Sequence, residues 1–393
     1  MDFRDTAAEA AFRKDVRDWL EANKPSGAVA GLGVTEGRVG MLRTWQRKLH
    51  EGGWAGLGWP KEYGGRGASL IEQVIFSQEY ARAKAPSILN VIGIGMAGPT
   101  IIAHGTDEQK HRYLDKILSG EEIWCQGFSE PGAGSDLGAL RTSAVVEGDS
   151  FIVNGQKVWT TLAHIADWCI LLARTDPTAP KHKGISYLLV DMHSPGVEVR
   201  PLRQMTGEAE FNEMFFTDVR VPRDNILGDV NDGWRIAMTT LLHERGTLGF
   251  ALATQAEIVL GEAIALAKKT LKAGRPAIED PLVRQRLAQL HVEIQAMRLN
   301  NYRALTTVMR TGIPGPEGSL GKLLWSESNK RLGELMLEIQ GPAGLLEGSG
   351  YAGDNGEWVY RHFRSRANSI EAGTSEILRN IIAERVLGLP KHK

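Results

Sequence analysis

Cysteine is nearly absent: two thiols, Cys125 and Cys169, stand in a chain of 393 residues. No disulfide framework can be built from them, and a chain of this length buries a core without one. A reducing cytoplasm is therefore the expected compartment. Net charge is also missing, since 46 lysines and arginines against 47 aspartates and glutamates leave −1. That excludes the basic excess of a nucleic-acid binder and the charge surplus of a disordered polyelectrolyte. No stretch reads as the roughly 18 apolar residues a bilayer span needs. The richest run, Ile165 to Ala173, contains Asp167. The opening Met1-Asp-Phe-Arg-Asp5 carries charge where a secretory leader has an apolar region, so neither membrane nor export is expected. The ten histidines show no metal-ligand spacing, and His243-Glu244 has Thr247 where a zinc helix would need its second histidine. Neither a GxSxG nor a Walker motif occurs. What is present is ordinary globular composition, 42% apolar and 24% charged, enough for two or three domains or one multi-layer unit.

The first 120 residues read as helices. Phe12, Val16, Trp19 and Leu20 share a face of a helix over Ala7 to Leu20. A glycine-rich loop is expected from Gly27 to Gly40, a helix over Trp45 to His50, and irregular chain over Gly52 to Gly67. Leu70 to Arg82 is helical, and Thr106-Asp-Glu-Gln109 forms a capping box for a helix that Gly120 stops. From Ile123 to Leu227 the pattern changes to short β-branched runs between turns, which predicts an antiparallel sheet or barrel. Asn154-Gly155 is its strongest hairpin signal. After Asn231 the helical period returns: one long helix toward Lys272, two more over Pro281 to Met309 and Ser319 to Ile339, and a last one over Ser375 to Leu387.

Four motifs carry candidate chemistry. Gly93-Ile-Gly-Met-Ala-Gly98 is a literal GxGxxG, but its helical surroundings and Leu118 in place of an acidic residue favour close packing over a dinucleotide site. Glu130-Pro-Gly-Ala-Gly-Ser-Asp136 could bring backbone amides and the Ser135 hydroxyl to a polar ligand, or simply join two domains. Glu244 lies at the edge of an apolar helical stripe with Arg245 near its middle. A carboxylate there can serve as a base, or as one half of a surface ion pair. Glu371-Ala-Gly-Thr-Ser-Glu376 caps the last helix, whose first amides suit an anion or a carbonyl oxygen.

Several segments together resemble the acyl-CoA dehydrogenase family. They are Gly56-Leu-Gly-Trp-Pro-Lys-Glu-Tyr-Gly-Gly65, Gly127-Phe-Ser-Glu-Pro-Gly-Ala-Gly-Ser-Asp136, Asn154-Gly-Gln-Lys-Val-Trp-Thr-Thr161, Asp218-Val-Arg-Val-Pro222 and Ala372-Gly-Thr-Ser-Glu-Ile-Leu-Arg-Asn380. The resemblance implies a helical N-terminal domain (1–121), a central antiparallel β domain (122–228) and a C-terminal four-helix bundle (229–393). It implies FAD, with Gln126, Phe128, Ser129, Ser135, Trp159, Thr160, Thr161, Thr374 and Glu376 around it. It places Ser135, Arg245 and Gly373 near the substrate. Many members carry the catalytic base where this chain has Ala372, and a minority carry it just before an arginine on a bundle helix. Glu244-Arg245 matches the minority pattern, so Glu244 is the expected base. The implied reaction is dehydrogenation of an acyl-CoA to its trans-2-enoyl-CoA, with electron-transfer flavoprotein as acceptor. The same fold also hosts acyl-CoA oxidases, nitroalkane oxidases and monooxygenases, and a subunit with a decayed flavin site is a further alternative. No metal is implied.

Two departures concern a neighbouring subunit. The family's Arg-x-x-Phe-Gly is Thr270-Leu-Lys-Ala-Gly274 here, and a usual glutamine is Glu338, with Pro342 replacing a glycine. The resemblance then allows an α2β2 heterotetramer with a related chain that supplies the arginine, as in actinobacterial enzymes acting on steroid side chains. It also allows a homotetramer in which Lys272 or Arg275 takes over. The small residues Gly93, Gly95, Gly98, Gly246 and Gly249 suggest room for a branched or cyclic acyl group.

Overall fold

The computed structural model describes residues 4–25, 36–244, 248–312, 315–346 and 354–391. Its first helix, α1 (Ala7–Asn23), starts at a capping box in which the Thr6 hydroxyl and the Glu9 carboxylate satisfy each other's backbone amides. Helix α2 covers Glu36–Glu51, so the expected glycine loop ends earlier than predicted and Gly37 and Gly40 are helical. Leu42, Trp45 and Leu49, all essentially buried at helical spacing, anchor it and override the weak propensity of the glycines. Helices α3 (Leu70–Arg82), α4 (Gly98–His104) and α5 (Asp107–Ser119) follow, with the Thr106–Gln109 capping box formed as expected.

The glycine motif at 93–98 is a π-helical turn leading into α4. Two of its glycines are packing sites: a Cβ at Gly98 would lie 2.1 Å from the Trp59 ring, and one at Gly93 would lie 2.4 Å from the Asn90 side chain, whereas a Cβ at Gly95 would meet open space. The space that Gly93 and Gly98 leave is thus filled by Trp59 and Asn90 and is not available to an acyl group. Asn90 in turn joins helix to sheet. Its amide donates to the Ile117 and Glu122 carbonyls and its oxygen accepts from the Trp124 amide.

The sheet has seven strands: β1 (Trp124–Gly127), β2 (Ser143–Glu147), β3 (Ser150–Thr161), β4 (Trp168–Arg174), β5 (Ile185–Asp191), β6 (Val197–Leu202) and β7 (Phe211–Pro222). Their order is β1-β4-β2-β3-β7-β6, with β5 also on β4. Pairing is antiparallel except that β1 runs parallel to β4 over four residues and β2 meets β4 in parallel at one. Phe151, Val153, Cys169, Leu171, Leu188, Met214 and Val219 fill its core.

Asn154-Gly155 is not the hairpin the sequence suggested. The turn falls at Gly148-Asp149, between Glu147 and Ser150, which pair directly. Asn154 and Gly155 lie inside β3 at a register shift. The Asn154 side chain completes that bulge by donating to the Asp218 carboxylate and accepting from the Asp218 amide. Gly155 is required there, at φ +152°, because a Cβ would come within 2.7 Å of the Thr142 Cα.

Helix α6 (Gly233–Glu244) packs on β5. The long helix expected toward Lys272 is described as α6 and α7 (Leu248–Lys269), on either side of 245–247, which lie outside the described residues. A small hairpin, β8 (Leu271–Lys272) and β9 (Arg275–Pro276), takes up the residues beyond Lys269. Then come α8 (Pro281–Thr311), α9 (Gly318–Gln340), α10 (Glu357–Asn368) and α11 (Ser375–Ile381). Asp280 caps α8, with Pro281 in the first position, where a missing N–H costs nothing. Helix α10 was not anticipated, because half of its buried face is polar: Trp358 and Val359, but also Ser365 and Asn368.

One correction concerns α7. Its Gly249–Lys269 segment is long and apolar enough, with a mean hydropathy of 1.5, to meet the length and composition of a membrane span. Its side chains are those of a bundle core instead. Ala253, Val259, Leu260, Ala263 and Ala267 are buried against α8 and α9, while Glu262 pairs with Arg361 of α10.

Two compact units result. One comprises Met1–Gln73 and Lys84–Glu244, the other Val74–Ala83 and Arg245–Lys393. Gly155→Ala should destabilise the first by about 2 kcal/mol, because the Thr142 backbone cannot give way as a flexible side chain would. Urea unfolding followed by a sheet signal checks this, and an unchanged midpoint would mean that the bulge relaxes freely.

Candidate active site

In the first unit the candidate residues gather where β1 ends beside β3. Gln126 is half-buried on β1 and Phe128 is buried just beyond it. The Ser129 carbonyl accepts from the Val158 amide at 2.9 Å, which holds the chain after β1 against β3. Beneath this lies a buried ion pair that sequence reasoning did not single out. The Lys157 ammonium, fully buried, donates to the Glu130 carboxylate at 2.8 Å and to the Phe128 carbonyl at 3.0 Å. Glu130 also accepts from the Arg141 amide at 2.7 Å and the Thr142 amide at 2.8 Å. One carboxylate thereby ties both ends of the 130–142 loop to one lysine. Burial pushes the Glu130 pKa up, but the Lys157 charge and these hydrogen bonds outweigh it and leave the carboxyl below its ordinary value. Burial lowers the Lys157 pKa, opposed by Glu130. The signal in the sequence was faint: Lys157 is the one charged residue of β3, and a lysine needs a partner if its position is buried.

The loop so held carries Ser135, which is exposed. Its neighbour Asp136 accepts from Lys181 at 2.8 Å, and Arg174 donates to the Gly138 carbonyl at 2.7 Å, so the loop is pinned from the β4–β5 side as well.

At the end of β3 a second register shift lies between Lys157 and Thr160. Trp159 sits in it at φ +61°, a region a bulky residue enters only at a cost, and its side chain is 60% exposed, edge-on to Phe211. Thr160 faces inward. Its carbonyl accepts from the Asn212 side chain at 2.9 Å, while its hydroxyl is buried with no hydrogen-bond partner. Thr161 is half-buried. A strained, exposed ring beside an orphaned buried hydroxyl suits a flat polar ring system laid against this strand end. Glu244 is the last residue of α6, its side chain lies outside the described residues, and so does Arg245.

The second unit holds the other candidates. Thr374 caps α11, its hydroxyl accepting from the Ile377 amide at 3.2 Å. The Ser375 hydroxyl donates to Glu327 at 2.6 Å, and Glu376 is exposed with Arg379 3.6 Å away. Before the cap, Ala372 and Gly373 both take positive φ, +49° and +93°. Glu371, the carboxylate next to the position where many relatives carry a base, is engaged. It receives both guanidinium nitrogens of Arg364, at 3.1 and 3.2 Å, and the Asn368 amide at 2.8 Å. No cluster of metal-binding side chains occurs among the described residues.

Helices, sheet and bundle follow one another in this order along the chain, with a strained aromatic on the sheet and a capped glycine turn before the last helix. Three family models match in succession: the acyl-CoA dehydrogenase N-terminal domain over 6–121, middle domain over 125–219 and C-terminal domain over 231–387. The chain belongs to the acyl-CoA dehydrogenase family, and it is an enzyme of that class. It is 45% identical over 389 residues to acyl-CoA dehydrogenase IpdE1 of Mycobacterium tuberculosis, covering 97% of each chain. Among solved structures it is similar to the Tcur3481-Tcur3483 steroid ACAD, with TM-score 0.87, 34% identity and full coverage of both chains. It is also similar to the ChsE4-ChsE5 complex from Mycobacterium tuberculosis, with TM-score 0.84, 33% identity and full coverage of both.

Lys157→Met leaves Glu130 buried without its cation and should cost about 3–5 kcal/mol in denaturant unfolding. The pair's contribution is pH-dependent. The folded Glu130 pKa is depressed, so its stabilisation is complete above the ordinary glutamate pKa and is lost as pH falls through the folded value. Wild type should therefore lose stability on acidification below about pH 4, and Glu130→Gln should flatten that limb. Equal acid limbs in the two proteins would remove the pair from the account.

Proposed function

We propose that the chain catalyses α,β-dehydrogenation of an acyl-CoA thioester to the trans-2-enoyl-CoA, with FAD as cofactor and electron-transfer flavoprotein as the acceptor of its electrons. Glu371 carries the reading. Ala372 has no proton acceptor, and Glu371 is saturated by Arg364 and Asn368. The turn therefore offers no base, and the carboxylate left by the family pattern is Glu244 at the end of α6.

Within the first unit the residues present fit the cofactor: the orphaned Thr160 hydroxyl and the exposed Trp159 ring suit the flavin, beside Gln126, Phe128, Ser129, Ser135 and Thr161; the family pattern assigns Thr374 and Glu376 to the same cofactor. FAD, when bound, supplies the redox chemistry by accepting the β-hydrogen as hydride. The chain does the rest. Backbone amides of the Ala372–Thr374 turn hold the thioester carbonyl and stabilise enolate charge, which acidifies the α-carbon. Glu244 takes the α-proton. Its electron pair becomes the new double bond as hydride leaves the β-carbon. The family pattern assigns Arg245, Gly373 and Ser135 to the acyl-CoA.

The acyl group we propose is steroid-derived, because a chain named steroid ACAD is similar over its whole length. We also propose that the working assembly is α2β2 with a related chain. Lys272, one of two residues available to replace the missing arginine, is taken by Asp280 at 2.8 Å, and Glu338 is paired with Arg286. A homotetramer would have to rely on Arg275, which is exposed on β9.

Glu244→Gln should keep its FAD and lower kcat by about 10²–10⁴-fold on a panel of octanoyl-CoA and steroid-ring acyl-CoA thioesters. Undiminished turnover in the variant would refute Glu244 as the base. Stoichiometric peroxide release in air by wild type would make the enzyme an oxidase.

A further inference from the structure

The turn that precedes α11 is held by a single ammonium group. Lys322, on α9, directs Nζ to three main-chain carbonyls: Asn368 at 2.6 Å, Glu371 at 2.8 Å and Gly373 at 2.8 Å. A lysine ammonium has three N–H donors, enough to serve all three carbonyls. Ser326, one turn further along α9, adds its hydroxyl to the Asn368 carbonyl at 2.7 Å. Three consecutive residues, 371 to 373, thus have two of their carbonyls drawn toward α9.

That has a direct stereochemical consequence. In a planar trans peptide the C=O and the following N–H point in opposite directions. With the Glu371 carbonyl turned to Lys322, the Ala372 amide must face away from it. With the Gly373 carbonyl turned the same way, so must the Thr374 amide. Among the described residues none accepts a hydrogen bond from the amides of Ala372, Gly373 or Thr374. The positive φ values of Ala372 and Gly373 are the backbone's adjustment to this pull. Alanine at +49° is not a conformation the residue adopts by preference, so something must hold it, and the three-carbonyl cage does.

We infer that Lys322 is a positioning residue for the reaction: it aims the Ala372 and Thr374 amides at the thioester carbonyl and keeps them aimed as charge develops there. The inference rests on the reading that this turn faces the thioester. Lys322 touches neither substrate nor cofactor in this role. It fixes donors in advance, so that they need not reorganise during the reaction.

The test uses full-length Lys322→Met and Lys322→Arg in the assembled flavoprotein. The probe is whichever of octanoyl-CoA and the steroid-ring thioester wild type dehydrogenates. All rates are expressed per bound FAD, so that poorly folded protein is not counted. Lys322→Met should lower kcat by about 100-fold, the scale of a lost carbonyl-holding donor, with KM changed less than about threefold. The ¹³C-labelled thioester carbonyl of the bound probe, read by isotope-edited infrared difference spectra, should move back toward its frequency in water. Lys322→Arg, which keeps charge and donors, should recover part of both readouts; where the methionine variant yields no flavoprotein, it is the variant compared with wild type. A Lys322→Met enzyme with a lower melting temperature but wild-type kcat per FAD and an unmoved carbonyl band would show a purely structural role and overturn the inference. Wild type without turnover on any thioester would instead defeat the functional reading beneath it.

Discussion

The fold of the first unit around its site depends on one buried ion pair. A lysine with no exposed surface and a carboxylate almost as deeply buried would each be costly alone. Together they are saturated: Lys157 holds Glu130 and the Phe128 carbonyl, and Glu130 holds the amides of Arg141 and Thr142. The pair converts a glycine-rich segment, which would otherwise be mobile, into a loop of fixed path that presents Ser135. It also clamps the chain after β1 to β3 just before the bulge that turns Trp159 outward. Such a pair is not a cheap source of stability, and burial of hydrophobic residues would serve that purpose better. Its value is in specifying where backbone goes.

The second unit uses the same device in another form. There the cation, half-buried on α9, reaches main-chain oxygens of the turn, and the carboxylate of that turn, Glu371, is matched to Arg364. In both units a lysine side chain from a regular element reaches an irregular segment and dictates the direction of its carbonyls, and therefore of its amides. Catalysis of enolate formation needs amides aimed at one oxygen atom. Paired strands and helix interiors cannot supply them, because their amides are already used within the element. Irregular backbone can, if something rigid holds it.

Much of the framework was legible in the sequence because it rests on local rules. The capping box at Thr106, the span of α3 and the start of α8 at Pro281 follow from local helix signals. The parts that were not legible are set by tertiary contact. Asn154-Gly155 carries a hairpin signal, yet the side chain of Asn154 is used across strands by Asp218, and the glycine is required by Thr142. Helix α10 hides its buried face among serine, asparagine and arginine because that face serves hydrogen bonds to α9 and to the turn at Glu371. At the site, the strained Trp159, the orphaned Thr160 hydroxyl and the roles of Lys157 and Lys322 depend on register and depth, which no spacing rule encodes. Motif resemblance named the neighbourhood, and only coordinates separate residues that would meet a ligand from those that hold them in place.

The central claim is that this chain builds a flavin site that it cannot complete alone. The most direct measurement is bound FAD per chain for the purified protein, read by absorbance beside its mass in solution, without and then with a related chain that carries the missing arginine. The account predicts little FAD on the chain alone and one FAD per pair of unlike chains in an α2β2 assembly. One FAD per chain in a tetramer of this chain only would contradict it.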